Sequence, residues 1–170
     1  MALAFEDLNL LRNPFGELRS EDRAGAAVVD LGDLPVFLGR DRAAVQFLGD
    51  HGRGKTTHLL ALRARFPAAP LFKILPGGAS PGGTWPLGFV DSLDCLAAGE
   101  VGKTCRRFGR LALTSHADLH RVLTGLGFSV RTVRVSQADP GEITKILNRR
   151  IELARRGPGD LPRIGEDCAR

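Results

Sequence analysis

Gly49-Asp50-His51-Gly52-Arg53-Gly54-Lys55-Thr56-Thr57 constrains this chain more than any other stretch, because it fits G-x-x-x-x-G-K-[ST] at every fixed position. Glycines at this spacing let consecutive backbone N–H groups point inward and form a concave nest for anionic oxygens. Such a loop needs a strand leading in and a helix leading out. Ala44-Val45-Gln46-Phe47-Leu48 reads as the buried strand, and His58-Leu59-Leu60-Ala61-Leu62-Arg63-Ala64-Arg65 as the helix, stopped by Pro67. The helix start adds unpaired donors and the positive end of its dipole. The pattern therefore predicts that residues 49–57 bind the phosphates of a nucleotide. Lys55 is expected to reach the β- and γ-phosphates, and the Thr56 hydroxyl to take a place on Mg2+.

Downstream, strands and helices alternate. Leu71 to Leu75 reads as a second strand between Pro70 and Pro76, and the Gly- and Pro-rich Pro76 to Pro86 as an exposed loop where a crossover helix would be expected. Leu87-Gly88-Phe89-Val90 forms a third apolar run ending on Asp91. A carboxylate at the end of a buried strand beside a phosphate loop is the Walker B arrangement, holding Mg2+ directly or through water. The alternative is an aspartate capping a helix from Ser92 to Ala98. Arg110 to Thr114 gives a fourth strand, after which Ser115 and Asp118 form an expected capping box for a helix through Leu123, closed by Gly125 and Gly127.

Ligands gather at the C-terminal ends of strands in open parallel sheets. Thr114, Ser115 and His116 are thus candidates for sensing a γ-phosphate or orienting a water, although His116 also reads as an exposed helix start. Val130 to Val135 gives the fifth strand. Asp139-Pro140-Gly141-Glu142 opens a helix, with Asp139 as N-cap and Glu142 at the third position. Ile143, Ile146, Leu147, Ile151 and Ala154 share one face of it, with Lys145, Asn148, Arg149, Glu152, Arg155 and Arg156 mostly opposite. That charged face is either solvated or sends one arginine toward the phosphates.

Near the start, Asn13-Pro14-Phe15-Gly16 is a compact turn. Ser20 reads as the N-cap of a helix continuing from Arg23 to Leu31, with Ala24, Ala27, Val28 and Leu31 buried and Gly32 ending it. Leu34 to Leu38 is apolar and has no assigned state. The whole predicts an α/β three-layer sandwich around a five-stranded, mainly parallel sheet. Residues 1–40 supply an N-terminal segment and helix of that domain, 41–156 the core, and 157–170 a flexible tail.

At 170 residues the chain suits one domain with a sizeable core. No apolar run reaches the roughly 18 residues of a membrane span, so no membrane partner is expected. Glu6 and Asp7 stand where a signal peptide would be basic. Cys95, Cys105 and Cys168 lack CxxC spacing, which predicts reduced thiols, a cytoplasmic setting and no metal cluster. The net charge of +5 is uneven: residues 1–34 hold three basic and seven acidic side chains, and 101–170 hold fourteen basic and seven acidic. A basic C-terminal part suits DNA, an acidic protein partner or the ligand phosphates themselves.

The order of phosphate loop after the first strand, acidic residue after the third and polar groups after the fourth resembles the core of the AAA+ ATPases, within the wider P-loop NTPase group. The loop form and the Asn13-Pro14-Phe15 segment are similar to bacterial AAA+ proteins that serve transposition and secretion. The resemblance covers about residues 10–156. It implies a parallel sheet with the loop strand near its centre, ATP and Mg2+ as ligands, Thr114 at the first sensor position, and Asn13-Pro14-Phe15 near the adenine. Oligomers of identical subunits fit the same resemblance. No Asn-Lys-x-Asp guanine signature follows a strand, in keeping with ATP over GTP.

Two departures bear on activity. The family places Glu directly after the Walker B aspartate as the base that polarises water, whereas Ser92 stands here, with Asp94 three residues past Asp91. The chain also stops near where the helical lid of the family would begin. The expected function is a Mg2+-dependent, slow ATPase with Lys55, Asp91 and Thr114 as its catalytic groups and Thr56 and Asp91 as its metal ligands. The alternatives are a nucleotide-gated binding module without turnover, and a small-molecule kinase whose lid would be Thr104 to Arg110.

Overall fold

The computed structural model describes residues 5–18 and 25–165. These divide into two compact units: Val29–Ser136, and the described residues of Met1–Val28 together with those of Gln137–Arg170.

The first unit is the α/β sandwich. In chain order it holds α1 (Leu34–Leu38), β1 (Ala43–Leu48), α2 (Lys55–Arg63), β2 (Leu71–Lys73), β3 (Trp85–Asp91), a 3-10 turn (Leu93–Cys95), α3 (Ala98–Cys105), β4 (Phe108–Ser115), α4 (His120–Gly125) and β5 (Ser129–Arg134). The strands lie in the order β2-β3-β4-β1-β5, and every neighbouring pair is parallel. All six residues of β1 are buried, as expected of a strand covered on both faces. β1 is an interior strand between β4 and β5, and β4 occupies the centre.

Two apolar clusters fill the two sides. Leu34, Phe37 and Leu38 of α1 and Leu59 and Leu62 of α2 pack with Val45, Phe47, Phe89 and Ala112. On the opposite face, Val101 and Cys105 of α3 and Leu123 of α4 pack with Leu93, Val90, Leu111 and Leu113. Helix, sheet and helix thus form the three layers.

Three local expectations are corrected here. The chain does not run helically from Ser92 to Ala98, because Ser92 takes the left-handed conformation (φ 61°, ψ 50°), which no right-handed helix accepts. Ser115 and Asp118 do not form a capping box. Ser115 extends β4 opposite Leu48, and Asp118 instead accepts from His120 N at 2.9 Å and Gln46 Nε2 at 3.4 Å, so the helix begins only at His120. The loop helix starts three residues earlier than expected, at Lys55.

The second unit is built on α5 (Pro140–Leu153), whose expected capping box is present: Glu142 N donates to Asp139 Oδ1 at 2.7 Å and Asp139 N to Glu142 Oε2 at 3.0 Å. Ile151 and Ala154 pack with Leu10, while Asn9 Nδ2 donates to the Gly157 carbonyl at 3.1 Å. Residues 157–165 are tied to the helix: Asn148 exchanges two hydrogen bonds with the backbone of Ile164, at 3.0 and 2.9 Å. Residues 166–170 of the expected tail lie outside the described residues. So do Ser20 and the start of the predicted 23–31 helix. Its described remainder is helical only at Gly25 and Ala26, and Asp30 Oδ1 accepts from Gly32 N at 2.8 Å in a turn that competes with helix.

Candidate functional site

The glycine loop leaves β1 at the C-terminal edge of the sheet and ends at the first turn of α2. Gly49 lies so close to the end of β5 that a Cβ built on it would stand 2.5 Å from the Val135 carbonyl oxygen. Gly54 has φ 90° and serves as the N-cap of α2 without any side-chain hydrogen bond, so the first N–H groups of the helix have no side-chain cap from that residue. A loop with these properties has backbone donors to offer an anion.

Lys55 folds back into the loop rather than out to solvent. Its ammonium donates to the Gly49 carbonyl at 2.7 Å, the Asp50 carbonyl at 2.8 Å and His116 Nε2 at 3.0 Å, and the residue is 8% exposed. These three bonds use all three ammonium donors.

Beside it, Thr56 Oγ1 donates to Asp91, 3.0 and 3.2 Å from its two carboxylate oxygens. Asp91 ends β3 and is buried. Thr114 Oγ1 donates to Asp91 Oδ1 at 2.7 Å and accepts from Ser92 N at 2.7 Å. Strand register explains the meeting: Val90 pairs with Leu113 and Phe47 with Thr114, so the ends of β1, β4 and β3 stand side by side. Thr114 is buried and both hydrogen-bonding roles of its hydroxyl are taken within the protein, so it fixes Asp91 and the turn that follows.

The turn delivers a second carboxylate. The left-handed Ser92 sends the chain into the 3-10 turn, and Asp94 Oδ2 accepts from His116 N at 2.8 Å and stands 3.1 Å from His116 Nδ1. Because the Lys55 ammonium has no lone pair, Nε2 must accept from it, and Nδ1 therefore carries the imidazole proton and donates to Asp94. The His51 ring lies over His116 with centroids 4.0 Å apart. His116 is thus part of a chain Asp94–His116–Lys55, not the start of a surface helix. The sequence offers a signal for this pair, since Asp94 and His116 each fall just past the end of adjacent strands, but only the left-handed turn at Ser92 brings them together.

The arginines of the expected kinase lid stay apart from this cluster. Arg106 and Arg107 precede β4, whose far end carries Ser115, so these two arginines of the Thr104 to Arg110 stretch lie a strand length away, roughly 25 Å. Arg149 and Arg150 are engaged within the second unit, with Arg149 Nε on the Gly25 carbonyl at 3.1 Å and Arg150 Nε on the Pro14 carbonyl at 2.8 Å. Among the described residues no three His, Cys, Asp or Glu side chains gather as a metal-ion cluster, and no helix is long and apolar enough to cross a membrane. No family model matches this chain, and no curated protein matches it.

Proposed function

We propose that the chain binds ATP with Mg2+ at residues 49–57 and hydrolyses it slowly, in the manner of the AAA+ ATPases it resembles. The observation that carries this reading is the joint placement of the Lys55 ammonium inside its own glycine loop and of the Thr56–Asp91–Thr114 cluster at the adjoining strand ends. The loop carbonyls hold the ammonium inside the glycine loop, within reach of an anion bound there, and the backbone donors of the loop and of α2 would supply the remaining anion contacts.

The donor set fits the metal. Mg2+ prefers hard oxygen ligands, keeps several waters and takes one or two carboxylates with substrate phosphates rather than a cage of side chains. Thr56 and Asp91 would hold it, and it would supply charge neutralisation on the phosphate oxygens. Thr114 contributes by holding Asp91 Oδ1 and the Ser92 backbone, which keeps the carboxylate at the end of β3 facing Thr56.

Titration calorimetry with a non-hydrolysable ATP analogue and a GTP analogue, each with and without Mg2+, tests the reading. The ATP analogue should bind with Mg2+ more tightly than the GTP analogue. Lys55→Ala should weaken binding roughly 10–100-fold, since a hydrogen bond to a charged group contributes about 1.5–3 kcal/mol. Absence of heat with either analogue, or equal binding by Lys55→Ala, overturns it.

A further inference from the structure

The family resemblance leaves the site without its usual base, because Ser92 stands where glutamate is expected and a hydroxyl does not accept protons near neutral pH. The geometry points to a replacement from another strand: we propose that His116 Nε2 takes the proton of the attacking water, with Asp94 as its positioning residue. This rests on the ATP reading above.

Three observations converge on the imidazole. Its Nδ1 and its backbone N both bond Asp94 Oδ2, at 3.1 and 2.8 Å, which fixes ring orientation and tautomer together. That tautomer leaves a lone pair on Nε2, the form a general base requires. Nε2 also lies 3.0 Å from Lys55 Nζ, the group expected on the terminal phosphates, so it reaches the region where an attacking water must stand, directly or through one water. A base oriented by a carboxylate behind it follows the same logic as other activated nucleophile pairs.

In this structure the Nε2 lone pair accepts from Lys55. Gly49 and Asp50 carbonyls hold the other two ammonium donors inside the loop, so the bond to His116 is the one that reaches outside it. When Lys55 turns that donor to phosphate, Nε2 is released. The water oxygen then bonds the γ-phosphorus, and the bond from that phosphorus to the bridging oxygen breaks with its electron pair leaving on ADP. The water proton goes to Nε2 and from there to phosphate or solvent. The imidazolium formed faces the Asp94 carboxylate, and among the described residues Lys55 and His51 also lie against the ring.

The test compares wild type with His116→Ala, His116→Gln and Asp94→Asn, with His120→Ala as a surface control. Both His116 variants should lose about 10²–10⁴ in kcat, with the calorimetric Kd for the ATP analogue changed only a few-fold. Added imidazole should restore part of the turnover of His116→Ala and none of that of Lys55→Ala. Asp94→Asn should lower kcat with the same few-fold limit on Kd, and its histidine-selective 15N spectrum should show His116 as a mixture of tautomers where wild type shows one. Independently of turnover, histidine-selective 15N spectra of wild type should show His116 protonated at Nδ1, with its Nε2 resonance shifting on addition of Mg2+ and the ATP analogue. Unchanged kcat in His116→Ala and His116→Gln, or a wild type that binds the analogue without hydrolysing ATP, overturns the assignment of the base and leaves nucleotide binding standing. A wild type that binds no nucleotide removes both.

Discussion

At Gly49 the side chain is excluded by space, and at Gly52 by conformation. A Cβ at 49 would press on the Val135 carbonyl oxygen at 2.5 Å, a backbone atom with no rotamer to escape into, whereas a Cβ at 52 meets nothing within 4 Å but sits at φ 75°. Gly49→Ala should therefore lower stability by about 1–3 kcal/mol, the usual range for overpacking, read as a lower urea midpoint. Gly52→Ala should cost about 1–2 kcal/mol through the left-handed backbone alone. The loop was legible in the sequence because its chemistry depends on consecutive positions. The Asp94–His116 pair was not, because its members lie 22 positions apart and meet through a strand register and one left-handed residue. Burial also sets the behaviour of Cys105, whose thiol it pushes up to about 11. Near pH 8 that thiol stays protonated, so peptide mapping after alkylation of the folded protein should find Cys105 unmodified and, in urea, fully modified.

The strand order does more for the site than any single helix. With β4 between β1 and β3, the residues after Leu113 stand beside both the loop and Asp91. The strands themselves could be read from apolar runs between breakers, whereas their parallel arrangement was implied by the family resemblance, since no helix joins β2 to β3. The helix boundaries around them were harder to read, since Ser92 looks locally like a helix start and Ser115 like a helix cap, but they are claimed by Thr114 and by the β1 pairing. Ser92 is where element and site meet. A serine in the left-handed region carries a cost of roughly 1–2 kcal/mol that glycine does not, partly offset by the extra unfolded-state entropy of glycine. Ser92→Gly should leave stability unchanged or raise it by up to about 1 kcal/mol. Ser92→Val, β-branched at a positive φ, should lower it by about 1–3 kcal/mol. Urea denaturation of the two variants checks the order, and a Val variant as stable as the Gly variant would remove the left-handed turn from the account.

Each compact unit carries carboxylates whose protonation opposes folding, so acid should act on the molecule as a whole. In the second unit Glu152 accepts from Arg155 Nε at 3.2 Å and pairs with Arg163, and these guanidinium groups hold its carboxyl below the ordinary value. In the sandwich, the His120 backbone N–H does the same for Asp118, with help from Gln46 and Arg134, and Arg131 does so for Asp33. A carboxyl lowered in the folded state contributes stability that is fully present above its unfolded value, about pH 4, and is lost as pH falls through the lower folded value. These groups are solvent-exposed, so each contribution is small and screened by salt. Glu152→Gln should therefore be less stable than wild type at pH 7, and the difference should shrink as pH falls through the lowered folded value, below which both carry a neutral side chain. Raising NaCl to about 0.5 M at pH 7 should shrink it as well. Urea midpoints collected across that pH range give the answer: a difference that persists unchanged into acid would mean that Glu152 acts through packing, and the charge argument for it would fail.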